Sequence, residues 1–141
     1  MLEQDKSYIA ALIDGEGSIL ISTHPKRGGG FRYDIRIQVA MTDPSAIMWA
    51  HDITKLSSLN TNSFKRRTES NKKCYYRWTL SVNDSVTLIK IIFSYLKIKH
   101  KQAELLLKFV ECRRKTKNRL LRFNLESELA TQMRNFNKRG A

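Results

Sequence analysis

The chain has 141 residues, 41% of them hydrophobic, which suffices for a packed core and argues against general disorder. Its 26 lysines and arginines against 13 acids leave a formal charge of +13, which favours a polyanion as partner over a merely basic soluble protein. The two isolated cysteines, Cys74 and Cys112, form no CxxC or Cys/His cluster, so neither a structural zinc site nor a disulfide framework is indicated.

The N-terminus lacks a basic region followed by an apolar stretch, and the longest apolar run is too short for a bilayer. The expectation is an intracellular protein acting where it is made, with no membrane partner. A first helix is expected from about Asp5 or Ser7, either of which suits a cap, to about Asp14, with Gly15 and Gly17 ending it. Two features of it are unusual. Ala10, Ala11 and Gly15 put small side chains where a core helix carries large ones, which suits close approach by another helix. Asp14 and Glu16 put carboxylates at a helix end that already carries about half a negative charge, which calls for a compensating cation, a metal ion among the candidates.

A strand is expected from Gly17 to about Pro25, then a glycine-rich turn at Lys26–Gly30, then a strand from Phe31 to about Thr42. Phe31, Tyr33, Ile35, Ile37 and Val39 alternate with Arg32, Asp34, Arg36, Gln38 and Ala40, the period of a half-covered antiparallel hairpin. Asp43 or Thr42 caps a second helix with Pro44 in its first turn and Ile47, Met48, Ile53 and Leu56 as apolar positions. A second hairpin follows, about Thr61–Thr68 and Cys74–Ser81. Asn83 and Asp84 suit the cap of a third helix running as far as Leu96; a fourth spans about His100–Lys115, and a fifth about Leu125–Asn137.

Hairpins between helices do not build a parallel sheet, so the fold class is α+β: a four-stranded antiparallel sheet with helices on one face. The other face carries Ser22, His24, Arg32, Arg36 and Gln38, joined by Lys65, Arg67, Arg77 and Thr79 from the second hairpin, with Lys26 and Arg27 at the turn. Such a surface fits a duplex groove, where arginine and glutamine also read base edges; Leu20 and Ala40 on the same face suit thymine methyls. A solvated charged face is the plain alternative. His24, His51 and His100 show no metal-ligand spacing, and Trp49, Trp78 and the tyrosines read as core or sheet packing.

Three features together resemble one family. The run Ile9-Ala10-Ala11-Leu12-Ile13-Asp14-Gly15-Glu16-Gly17 is similar to the nonapeptide that names the LAGLIDADG homing endonucleases, with Ala11 at the first glycine and Glu16 at the second aspartate. The element order matches their αββαββα core. The segment Leu96-Lys97-Ile98-Lys99-His100-Lys101-Gln102-Ala103 is similar to the basic KxKxKQA-like segment of single-motif members.

The resemblance covers about residues 7–107. It implies one endonuclease domain over residues 1–141, with a core of about 5–110, a curved sheet and a helical C-terminal extension of about 111–141. It also implies hydrolysis of double-stranded DNA at a long, near-palindromic target, usually near the insertion site of the encoding intron. No second motif is present, so a homodimer is implied, its two-fold axis bringing together Tyr8, Ala10, Ala11, Leu12 and Gly15 and both copies of Glu16.

Within this reading Glu16 and the Gly15 backbone hold Mg²⁺, with Mn²⁺ or Ca²⁺ as substitutes, Ca²⁺ non-catalytic; the plain alternative for Glu16 is a helix-end acid in a turn. Asp14 ties down backbone amides near the partner helix. Lys99 orients water or steadies charge at phosphate, or else anchors phosphate. Asp43 lies beside the water, as an N-cap, or both. Lys97 and Lys101 contact the DNA backbone, and Asp34 lies on the DNA face. Ile47 departs from the arginine of some relatives. An RNA maturase or a DNA-binding regulator on the same fold, and a monomeric RNA-structural protein, are the other readings.

Overall fold

A computed structural model of the chain describes residues 1–57, the backbone of 59–60, and residues 75–138. The elements are α1 (Glu3–Glu16), β1 (Gly17–Pro25), β2 (Phe31–Met41), α2 (Ser45–Thr54), β3 (Leu59–Asn60), β4 (Tyr76–Leu80), α3 (Val82–Ile92), a 3-10 turn (Phe93–Tyr95), α4 (His100–Lys115) and α5 (Arg119–Asn137). The expected tip and first strand of the second hairpin, with Phe64, Lys65, Arg67 and Cys74, lie outside the described residues.

The sheet is antiparallel in the order β1-β2-β4-β3. Its register puts Ile19 opposite Ile37, and Val39 opposite Trp78, on the covered face. Ile19, Ile35, Ile37, Val39, Trp78 and Leu80 are all buried there, beneath Ile9 and Ile13 of α1 and Leu88, Ile89 and Ile92 of α3. Trp78 buries its ring and donates its indole N–H to the Leu56 carbonyl at 3.0 Å, which satisfies the polar end of that side chain. Among the described residues no helix is long and apolar enough to cross a membrane.

Several element ends differ from the sequence expectation. Asp5 and Ser7 lie inside α1; Asp5 reaches back to accept the Leu2 amide at 3.3 Å, half of a capping box. α1 continues through Gly15 to Glu16 and stops at Gly17, where a Cβ would lie 2.7 Å from the Ile13 carbonyl oxygen. Ser81, not Asn83 or Asp84, caps α3: its hydroxyl accepts the Asp84 amide, while the Asp84 carboxylate accepts the Ser57 hydroxyl. α3 stops at Ile92 and passes into the 3-10 turn before Leu96. α5 starts at Arg119, six residues before expectation, because the Asn118 side chain accepts the Leu121 amide and Phe123 packs against Phe31 and Tyr33. The hairpin tip is a defined turn: Gly28, Gly29 and Gly30 have φ of 87°, 99° and 74°, values that favour glycine.

Candidate active site and nucleic-acid face

Three helix ends meet at the edge of the sheet. α1 ends at Glu16, α5 ends at Asn137, and α4 starts just after Lys99. Gly15, Glu16, Gly17, Ser18, Leu20, Lys99 and Asn137 line one cleft of 470 Å³. Two of these helices bring their negative ends to it and the third its positive end, with the Lys99 side chain alongside.

The last turn of α1 has no basic residue. The missing cation comes from 85 residues away: the Lys99 ammonium donates to the Asp14 carbonyl at 2.5 Å. The Asp14 carboxylate accepts the Lys97 amide at 2.7 Å and the Lys99 amide at 2.9 Å. Asp14 therefore ties down backbone amides as expected, but those of its own chain's basic segment. Burial holds the Lys99 amine below the ordinary lysine pKa, against the opposing pull of Asp14 and Glu16. Glu16 is exposed and makes no hydrogen bond or ion pair among the described residues.

Asn137 is the member of this cleft that sequence reasoning missed. Its amide donates to the Ile19 carbonyl at 2.9 Å, and Gln102 donates to its side-chain oxygen at 3.4 Å. Its partners lie 118 and 35 residues away, so no local pattern marks it.

Gly15 and Glu16 both line the cleft, and a carboxylate and a main-chain carbonyl are hard oxygen donors of the kind that suit Mg²⁺. Among the described residues no group of three or more His, Cys, Asp or Glu side chains is placed to hold a metal ion.

Asp43 is not among the residues lining this cleft. Its carboxylate accepts the Ser45 hydroxyl at 2.7 Å and the Ser45 amide at 2.9 Å, and both bonds hold its pKa below the ordinary value. Ile47 is fully buried, so its position supplies no polar group to the cleft.

On α1, Ala10 is fully buried and Leu12 nearly so. That corrects the expectation of a contact face through Ala10: the helix turns it into its own core. Tyr8, Ala11 and Gly15 do lie outward, at spacings of three and four residues that form one face. Tyr8 packs edge-on against Trp49.

The sheet's second face carries the expected residues in register: Ser22 opposite Asp34, His24 opposite Arg32, Gln38 opposite Thr79 and Ala40 opposite Arg77. His24 sits between Ser22 at 3.3 Å and Asp34 at 3.7 Å. Arg36, opposite Leu20, has a buried Nε without a hydrogen-bond partner among the described residues, an unmet donor on a surface otherwise ready for a ligand. Lys26 and Arg27 lie in the exposed turn. Lys97 is exposed, and Lys101 lies over the Phe136 ring at 5.6 Å. His51 and His100 are engaged within the chain, with the Ser57 carbonyl and the Phe93 ring.

An acid-ended helix closing an αββαββα core over a basic sheet face is the architecture of the LAGLIDADG homing endonucleases, and the chain has their fold. It is similar to the homing endonuclease I-CvuI, solved with the I-CreI DNA target in 2 mM Mg without cleavage (14% identity, TM-score 0.76, 99% of this chain and 86% of that one). It is also similar to the archaeal intron-encoded homing endonuclease I-Vdi141I in complex with DNA (12% identity, TM-score 0.78, 99% and 87%). I-SmaMI, bound to cleaved DNA, matches at 15% identity and TM-score 0.67 over 97% of this chain and 46% of that one. No family model and no curated protein matches the sequence.

Proposed function

We propose that the chain is a site-specific DNA endonuclease that hydrolyses both strands of a near-palindromic target as a homodimer with a divalent metal. One observation carries the reading: the exposed Glu16 carboxylate, with no hydrogen bond or ion pair among the described residues, shares one cleft with Lys99 where two helix C-termini meet. A carboxylate in that negative field is unfavourable for a protein that only binds, and useful to one that recruits a cation.

The geometry supports the following roles. Arg32, Arg36, Gln38 and Arg77 lie along the duplex and contact base edges and phosphates. Glu16, with the Gly15 carbonyl, would hold the metal, and a second copy would supply the other carboxylate. When bound there, a divalent ion supplies Lewis-acid activation of water and neutralises charge on the phosphate. Lys99, its ammonium held on the Asp14 carbonyl, lines the same cleft and steadies negative charge developing on the scissile phosphate. Asp14 positions Lys99, and Asn137 closes the cleft's far wall. The small outward face of Ala11 and Gly15, flanked by Tyr8, lets two copies of α1 approach closely. The protein acts in the compartment that encodes it.

The test is Glu16→Gln, assayed with and without Mg²⁺ on DNA carrying the host locus lacking the insertion. The variant retains DNA binding and loses cleavage. Cutting at the wild-type rate would remove Glu16 from the chemistry, and binding of the cognate intron RNA in preference to DNA would favour a maturase instead.

A further inference from the structure

A second cleft, of 420 Å³, lies at the opposite end of α5 from Glu16, where the first turns of that helix meet the tip of the β1–β2 hairpin. It is lined by Lys26, Arg32, Arg113, Arg119 and Arg122, with Glu126 the sole acid. Arg113 is already engaged: its Nε donates to Glu126 at 2.9 Å, and its Nη2 donates to the Tyr33 carbonyl. That leaves Lys26, Arg32, Arg119 and Arg122 facing one space with no ion pair among the described residues.

Two of those four sit unfavourably. Arg119 and Arg122 open α5, at the helix end whose dipole repels cations, and no acid lies in that turn. Arg32 belongs to the sheet's second face, at the hairpin's outer end. The cleft therefore continues the basic face around the hairpin tip onto α5.

We infer that this cleft is a phosphate site that grips the polynucleotide backbone beyond the sheet. Guanidinium groups arriving from a strand and from a helix suit the oxygens of one or two phosphates from different sides. The inference rests on the DNA-binding reading and adds to it: α5, which closes the Glu16 cleft at one end, holds the duplex at the other. The sequence pattern points Lys26 and Arg32 at DNA and gives no such role to Arg113, Arg119 or Arg122.

The experiment compares wild type, Arg119→Gln/Arg122→Gln and a control pair, Lys90→Gln/Lys108→Gln, drawn from the unrelated groove between α3 and α4. Affinity for a random-sequence duplex is measured against salt, and melting curves establish that all three are folded. The expected result is a log–log slope shallower by about 1–2 in the Arg119/Arg122 variant alone, about one for each phosphate no longer held. Equal slopes in variant and wild type overturn the inference, and so does an equal change in the control pair, which would reflect net charge. A parallel titration with inorganic phosphate separates the two sources of phosphate: binding to wild type and not the variant, with duplex slopes unchanged, assigns the cleft to free phosphate and overturns the backbone role. Wild-type protein that fails to bind any duplex overturns the DNA-binding reading itself, a result visible before the variants are compared.

Discussion

Lys99 and Asp14 are joined by two hydrogen bonds beside the cleft, and each makes a separable prediction. Asp14 accepts two main-chain amides with its two carboxylate oxygens. In Asp14→Asn one of those amides would face an NH₂ group, so a loss of stability of about 1–3 kcal/mol is expected in urea melts; an unchanged midpoint would mean the basic segment is held by other contacts. Lys99 has a pKa lowered mainly by burial, so the unfolded chain holds this proton more tightly than the folded one. Stability attributable to Lys99 therefore rises with pH, from its folded pKa up to the ordinary value of 10.5. Lys99→Met removes that dependence, and melting temperature plotted against pH just below 10.5 should be flatter than for wild type. Cleavage should be lost in the same variant with binding kept.

Gly15 and Gly17 look alike in the sequence and differ in the structure. A Cβ on Gly15 meets nothing within 4 Å, whereas one on Gly17 meets the Ile13 backbone at 2.7 Å. Gly15→Ala should therefore raise the stability of the isolated chain by about 0.5–1 kcal/mol, as expected for glycine replaced inside a helix. Gly17→Ala should lower it by about 1–3 kcal/mol, because the clash is with backbone. In the proposed homodimer, the larger Gly15→Leu should leave the chain folded but separate the two copies, read as dimer for wild type and monomer for the variant by sedimentation. A Gly15→Leu protein that still dimerises would move the interface away from α1.

Across the molecule, α5 is the strap that links the far ends. Glu126 is buried, and with Arg113 it joins α5, α4 and the Tyr33 carbonyl of β2. Arg113→Ala would leave the Glu126 carboxylate buried without its partner, a loss of about 3 kcal/mol in chemical denaturation. Because Asn137 sits at the other end of the same helix, loosening it should also reduce cleavage more than binding, by gel shift and cutting assays on one DNA. Equal losses in both would mean that α5 serves DNA binding alone.

The local chemistry of the chain carried much of this. Alternation along Phe31–Val39 is a covered strand face because side chains alternate with period two, and Tyr33, Ile35, Ile37 and Val39 are buried accordingly. The bounds of the fourth helix, and the existence of an acid-ended first helix though not its bounds, were equally legible, since both depend on neighbouring residues. Long-range contacts were not legible. The small side chain of Ala10 suggested a face open to a partner, yet the fold buries it fully in the chain's own core. Pattern alone also left the negative end of α1 without a cation, because the compensating lysine is distant in sequence. Only the tertiary structure brings Lys99 onto Asp14, Asn137 onto Ile19 and Arg119 beside Arg32. A side chain's local propensity is set by its near neighbours, but which charges share a cleft is set by how the chain closes on itself.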